Sequence, residues 1–262
     1  MEKKVEKKAG GTSPDERELQ RTRIMEAMGI FAGGVAHDLN NALTGIVSYP
    51  ELLLAQLPED SPLRRPITRI HESGRKAISI VQDLVILTQR GIKNNAILFN
   101  INRVVGEFLK SPELENLAAG YPDVKIKADL DEDLVNIEGS PTHVHRVLIN
   151  LAINAAEAMK GSGEIIVSTF NRSIDTPYKG YEEVPAGEYV VLSVSDPGEV
   201  VSAEDLERIF EPFYTKKIMG RSATGIGMAV VWAIVKDHGG YIDVRSAPGA
   251  GTAITLYFPS KI

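Results

Sequence analysis

A single apolar stripe limits what the first third of this chain can fold into. Met28, Ala32, Val35, Leu39, Ala42, Ile46, Tyr49 and Leu53 follow one another at alternating steps of four and three. That is a heptad seam on a helix. The run "LPEDSPLRRP" breaks it with Pro58, Pro62 and Pro66. The pattern then returns at Ile67, Ile70, Gly74, Ala77, Val81, Leu84 and Thr88. Two helices joined by a short turn make an antiparallel hairpin. One hairpin cannot bury two such seams, so they need a partner. A second copy of the chain would complete a four-helix bundle, and the rest of the same chain is the alternative. The pattern favours the second copy. Pro50, inside the first helix, predicts a kink there.

From about Lys93 the texture changes, and short β-branched runs alternate with helical ones and glycine-rich loops. "VKIKADL", "VNIEG", "EIIVSTFN", "EYVVLSVSD", "GYIDVRSA" and "GTAITLYFP" read as strands. "SPTHVHRVLINLAINAAEAMK" reads as a helix with Ser140 as its N-cap and Pro141 at its first position. "ATGIGMAVVWAIVKDHGG" runs from a glycine loop into a helix that stops at Gly239 and Gly240. The expected fold class is therefore α plus α/β: a helical hairpin forming a dimeric four-helix bundle, then an α/β sandwich.

The 262 residues carry a formal net charge of -6, which argues against a general nucleic-acid binder with its basic face. Without cysteine there is no disulfide framework and no thiolate zinc site, which suits a reducing cytoplasm. No apolar run approaches the roughly 20 residues that span a bilayer. "MEKKVEKKAGG" is charged, lacks the apolar core of a signal peptide, and reads as a solvated tail over residues 1–13 ahead of the alternative, the end of a truncated upstream segment.

"GGVAHDLNNALTG" is oddly polar for a buried helix. His37 lies about 200° around the helix from the seam residue Val35. Asn41, Thr44 and Ser48 follow on the same polar stripe, with Asn41 one turn from the ring. An exposed histidine with Asp38 beside it suits nucleophilic or proton-transfer work, although taken alone the stretch reads more simply as a solvated histidine on a polar face. Further on, Asn150 and Asn154 stand at i and i+4 on one helix face. Their carboxamide oxygens could serve a magnesium ion that keeps most of its waters, or they are plain surface amides. Asp196 ends an apolar strand. A carboxylate there can accept from an exocyclic amine, and a base that left it unpaired would cost about 1–3 kcal/mol. Taken alone, an Asp-Pro-Gly sequence favours a turn residue. Gly225 and Gly227 precede a helix and offer backbone amides to phosphate, but no Gly-Lys-Ser/Thr follows, so this is no P-loop. Lys216, Lys217 and Arg221 lie just upstream, as added phosphate charge or as a solvated basic loop. His71, His143, His145 and His238 do not form a metal-binding pattern.

Taken in order, these stretches resemble the catalytic core of sensor histidine kinases, closest to the soluble or hybrid nitrogen-regulator-like group. "AHDLNN" is similar to the phosphoacceptor box, "NLAINAAEAM" to the asparagine box, and "SDPGEVV" to the first glycine box. "FEPFY" is similar to the phenylalanine box and "ATGIGM" to the second glycine box. The resemblance implies a dimerisation and phosphotransfer hairpin over residues 14–92 and a gyrase-type ATP-binding domain over residues 93–262. It implies that His37 takes the γ-phosphoryl group of ATP, that Asp38 is its general base, and that Asn41 orients the acid or a hydrolytic water. It makes Asn154 the magnesium ligand with Asn150 nearby, Asp196 the adenine reader, and Thr252 a second adenine-side residue. Gly198, Gly225 and Gly227 would let backbone approach the nucleotide, and Lys217 and Arg221 would sit in a lid over it. The implied partners are a second copy of the chain and a response-regulator receiver domain. No sensor domain is legible in the sequence.

Two positions depart from that pattern. Val200 and Ala223 stand where the family usually has glycine. If position 200 requires a positive φ, valine there is strained. Weakened ATP binding is the expectation, and with it a second reading: a degenerate kinase acting as a dimeric phosphotransfer or signalling scaffold. A clamp ATPase of the gyrase or chaperone type is a third reading, disfavoured by the histidine hairpin.

Overall fold

A computed structural model of the chain describes residues 36, 38–88, 96–159, 161–215 and 224–261. The tail over residues 1–13, the seam from Met28 to Val35 and the division expected between residues 92 and 93 lie outside the described residues. Helix α1 covers residues 38–56 and α2 covers Arg64–Thr88. Between them Arg64 donates from Nη1 to the carbonyls of Leu54 and Leu57, both at 2.8 Å. That satisfies carbonyls left open at the end of α1 and places a cation on its negative end. The two helices approach closely at Gly74, where a Cβ would lie 2.9 Å from Val47 Cγ2. Counting equal rises from that contact, Asp83 of α2 stands level with Asp38 of α1.

The remaining chain builds a mixed sheet. In chain order come β1 (Ile97–Phe99), α3 (Ile101–Phe108), α4 (Pro112–Gly120), β2 (Val124–Leu130), β3 (Asn136–Gly139), α5 (Pro141–Ala158) and β4 (Gly163–Ile174). They are followed by β5 (Tyr178–Lys179), β6 (Glu183–Val184), β7 (Gly187–Asp196), α6 (Ala203–Arg208), α7 (Gly227–Asp237), β8 (Tyr241–Ala247) and β9 (Gly251–Lys261). The seven-stranded sheet runs β1-β3-β9-β7-β4-β2, with β8 also paired to β9. Only β2 and β4 among these pairs run parallel. The strands and both long helices expected for this half form where the sequence places them. The short elements β1, α3, α4, β5, β6 and α6 carry too few periods to be legible beforehand.

One face of the sheet is covered by α3, α5 and α7, and the main core lies between, around Trp232, Phe108, Phe210, Leu148 and Ile165. The β5–β6 hairpin docks by Tyr178 and Tyr181, whose hydroxyl and backbone amide both donate to the buried Asp243 at 2.9 Å.

Helix α2 is not independent of this core. Leu87 is 1% exposed within it, and Ile80 and Ile86 pack on its edge. Beside them Arg146 of α5 donates from Nε to Asp83 Oδ1 at 2.6 Å and from Nη2 to Ser79 Oγ at 2.7 Å. The pair is largely buried, with side-chain exposures of 15% and 9%. Such a pair adds little over an apolar contact, but losing one partner costs about 3–5 kcal/mol. The docking stripe of α2, at Ser79, Ile80, Asp83, Ile86 and Leu87, is not its heptad seam. Among the described residues the α1 seam stays largely open: Leu39, Ile46, Tyr49 and Leu53 are 42%, 47%, 71% and 47% exposed.

Candidate active site

Helix α5 starts as its sequence dictates. Ser140 Oγ accepts from the His143 amide and Pro141 fills the first turn. This fixes the helix phase, so Asn150 is buried and Asn154 half-buried on the face turned toward α7. The Asn150 Nδ2 amide is buried and has no hydrogen-bond partner. Opposite it, α7 begins at Gly227 with no side-chain cap on its first amides. An uncapped helix N-terminus beside a buried carboxamide with an orphaned donor is a place for an anion. Both Asn150 and Asn154 line a cavity of about 220 Å³ together with Gly225 and Gly227.

A second cavity, of about 280 Å³, adjoins the first and shares Asn154, Tyr214, Thr215 and Met228 with it. Asp196 lies in its wall, at the carboxyl end of β7, beside Thr252 of β9. Asp196 Oδ1 accepts from the Gly198 amide at 2.8 Å. Burial pushes the carboxyl upward from its ordinary value, and the Gly198 hydrogen bond opposes that shift. Gly198 tolerates no side chain, since a Cβ would lie 2.6 Å from Asp196 Oδ1 and 2.8 Å from the Ala158 carbonyl carbon. The next residues are stapled down. The Glu199 amide donates to the Ala158 carbonyl at 3.1 Å, and the Val201 amide donates to Ser246 Oγ at 2.9 Å. Thr252 Oγ1 joins Ser246 Oγ at 2.8 Å.

Val200, between those staples, lines the cavity and is 42% exposed. Its φ is not positive: among the described non-glycine residues that conformation belongs to Phe213, at 66°. Valine at position 200 is thus unstrained, because the loop is shaped by its hydrogen bonds and not by a left-handed residue. Phe213 itself donates its amide to the Gly225 carbonyl at 2.8 Å. Gly225, at φ +68°, has no room for a Cβ against the Phe213 backbone. This clasp joins the two ends of residues 216–223.

The structure thus brings Asn150, Asn154, Asp196, Gly198, Gly225, Gly227 and Thr252 around two adjoining cavities. Asp38 and Asn41 are exposed on α1. His37, Lys217, Arg221 and Ala223 lie outside the described residues. Residues not singled out in the sequence also build the walls. Tyr214 donates to Asp205 Oδ1 at 2.5 Å while Arg208 stacks on its ring at 4.1 Å. Gly251, at φ +73°, lets β9 pass Asp196, since a Cβ there would lie 1.9 Å from the Asp196 carbonyl oxygen. The outer wall of the smaller cavity comes from the hairpin: Lys76, Ser79, Ile80 and Asp83 of α2.

The donor set fits a phosphorylated nucleotide. One cavity offers a buried acceptor in an apolar wall, and the other offers amide donors and a helix N-terminus. For a metal ion it offers carboxamide oxygens, and no group of three or more His, Asp or Glu suited to a metal occurs among the described residues.

Two family descriptions match the chain. Residues 27–91 match the His Kinase A (phospho-acceptor) domain, and residues 139–262 match the histidine kinase-, DNA gyrase B- and HSP90-like ATPase. The chain carries the two domains of a histidine kinase catalytic core. This histidine kinase core is 33% identical over 250 residues to the sensor kinase CckA of Brucella abortus (strain 2308), covering 94% of the chain and 26% of the relative. It is 29% identical over 248 residues to the sensor histidine kinase ZraS of Escherichia coli O157:H7, covering 94% of the chain and 49% of that relative. The kinase core therefore spans a quarter to a half of the length of those relatives. In fold it is similar to full-length ShkA solved in complex with AMPPNP, with a TM-score of 0.64 at 20% identity, over 87% of this chain and 45% of that one. The histidine kinase AdeS of Acinetobacter baumannii matches with a TM-score of 0.53 at 20% identity, over 86% of this chain and 95% of that one. No described helix of the kinase core is long and apolar enough to cross a membrane.

Proposed function

We propose that the chain is an ATP- and magnesium-dependent protein histidine kinase. It works as a homodimer, phosphorylates itself on His37, and passes the phosphoryl group to a receiver-domain aspartate of a response regulator. One observation carries this reading: the cavity that ends at the orphaned Asn150 amide and the uncapped start of α7 is walled on its outer side by helix α2 of the acceptor hairpin. A donor end and an acceptor hairpin that share a wall suit transfer between them. The proposed division is a hairpin over residues 14–92 and an ATP-binding domain over residues 93–262.

Asp196, backed by Thr252, accepts from the exocyclic amine of adenine, while Gly198 admits the base beside the backbone. Asn150 Nδ2 and the first amides of α7, beyond Gly225 and Gly227, hold phosphate oxygens. ATP supplies the phosphoryl group, and magnesium neutralises charge on its phosphates. Asn154 would hold the ion by its carboxamide oxygen while water and phosphate complete the shell. Lys217 and Arg221 cover the phosphates as parts of a lid. An imidazole nitrogen of His37 forms the new bond to phosphorus as the bond to the ADP oxygen breaks. Asp38 receives the imidazole proton, and Asn41 orients Asp38. Positioning and charge neutralisation carry most of the barrier reduction.

Incubation with γ-labelled ATP tests this. Acid-labile, base-stable label is expected on the wild type and absent from His37→Ala; equal labelling of that variant would sink the assignment. The scaffold alternative predicts no labelling of either, and the unstrained Val200 speaks against it.

A further inference from the structure

The α2 wall of the smaller cavity carries a charge that the nucleotide reading leaves unused. Two basic residues are among the described residues lining it, Lys76 and Arg146. Arg146 is committed to Asp83 Oδ1 at 2.6 Å and to Ser79, whose Oγ and carbonyl lie at 2.7 and 3.0 Å. Its guanidinium therefore serves as a fastener between α5 and α2. Lys76 stands one helical turn before Ser79 and two before Asp83, on the same stripe of α2, so the fastener sets where the backbone that carries it lies against the cavity. Among the described residues the opposite wall supplies neutral donors to an anion: the unpartnered Asn150 Nδ2 and the uncapped amides at the start of α7. Asp83 and Glu157 add negative charge to the same cavity. Asp83 is answered by Arg146, which leaves Lys76 as the basic side chain among the described lining residues that has no ion pair within it.

We propose that Lys76 is a phosphate-binding residue of the nucleotide site, supplied by the hairpin helix and held in place by the Arg146–Asp83–Ser79 fastener. Triphosphate affinity then depends on α2 being docked. The hairpin then adds one cation to a phosphate end that the ATP-binding half otherwise builds, while the base end needs nothing from the hairpin. This rests on the nucleotide reading above.

The test is calorimetry on the full chain with magnesium and AMPPNP, with adenosine as the second probe. Lys76→Ala is expected to weaken AMPPNP about tenfold, the usual effect of one charge-assisted hydrogen bond, and to leave adenosine unchanged. Lys76→Arg restores AMPPNP binding. Arg146→Gln weakens AMPPNP to the same degree, and the double variant Lys76→Ala/Arg146→Gln is no weaker than either single one, because undocking already removes Lys76. Unchanged AMPPNP affinity in Lys76→Ala, an equal loss for adenosine, or additive losses in the double variant would each overturn the proposal. Failure of the wild type to bind either probe would instead overturn the nucleotide reading on which it rests.

Discussion

Burial of the Asp196 carboxyl works against its own ionisation, and a hydrogen bond from the Gly198 amide opposes that shift in part. A raised carboxyl means that the folded state holds its proton more tightly than the unfolded chain does. Its contribution to stability is full below the unfolded value and is lost as pH rises through the folded one. At neutral pH the residue is therefore a cost to the apo protein and a gain to the nucleotide complex. Asp196→Asn keeps an acceptor for Gly198 and removes the buried charge. The variant is expected to melt higher than wild type near neutral pH, with the advantage gone below the ordinary carboxylate range. Its AMPPNP affinity should fall by about tenfold or more, the effect of a lost hydrogen bond from the base to a charged acceptor. Thermal melts and calorimetry check the pair, and a lower melting point at neutral pH would contradict the account.

Between elements, the least expected contact is at His238, just past α7. Its Nε2 accepts from the Ser140 amide at 3.1 Å, at the N-cap of α5. Its Nδ1 then carries the proton and donates to the Ile234 carbonyl at 2.7 Å. The ring lies against Phe258 and faces His143, and Gly139 has no side chain because a Cβ would meet the ring at 2.1 Å. One neutral tautomer thus ties the end of α7 to the start of α5, the two helices that carry Gly227 and the asparagines. Burial lowers the basicity of His238, and so does the charge of His143; the Ile234 carbonyl opposes them. Burial lowers His143 as well. The unfolded chain takes up these protons below about pH 6.5 and the folded chain resists. Stability is then full above that value and falls as pH drops through the lowered folded values. Urea midpoints at about pH 8 and about pH 5.5 should show this loss. His238→Ala should cost about 1–3 kcal/mol at the higher pH, by orphaning the Ser140 amide, and should flatten the pH dependence. An unchanged slope would remove His238 from the explanation.

At the scale of the whole molecule, the exposed seam of α1 asks for a partner. Leu39, Ile46, Tyr49 and Leu53 form a row of apolar side chains that the described residues leave largely open, while α2 turns a different stripe toward α5 and α7. The ATP-binding half therefore does not substitute for a second hairpin. Light scattering should give twice the mass of one chain. Leu53→Asp, which would bury a charge in the bundle, should weaken the dimer at least tenfold without unfolding the sheet domain. A monomeric wild type would send the seam's purpose elsewhere.

The amino-acid sequence by itself determined the two heptad seams, the strands that alternate or run apolar, the caps at Ser140 and Gly239, and the order of boxes that marks a histidine kinase core. Those features are local: a periodicity, a cap or a motif is complete within a few residues. Asp196 and Asn154 could be picked out for the same reason, as polar groups interrupting apolar runs. Only the tertiary structure decided which stripe of α2 meets α5, because a buried Asp83 and a solvated one look alike until Arg146 arrives from 63 positions away. It also decided that His238 caps another helix, that Gly251 makes room for Asp196, and that Val200 sits without strain. Each of these depends on what a distant backbone leaves room for. Position 200 carries the clearest lesson: the departure from glycine was plain in the sequence, but its consequence depended on a φ angle set by hydrogen bonds to Ala158 and Ser246.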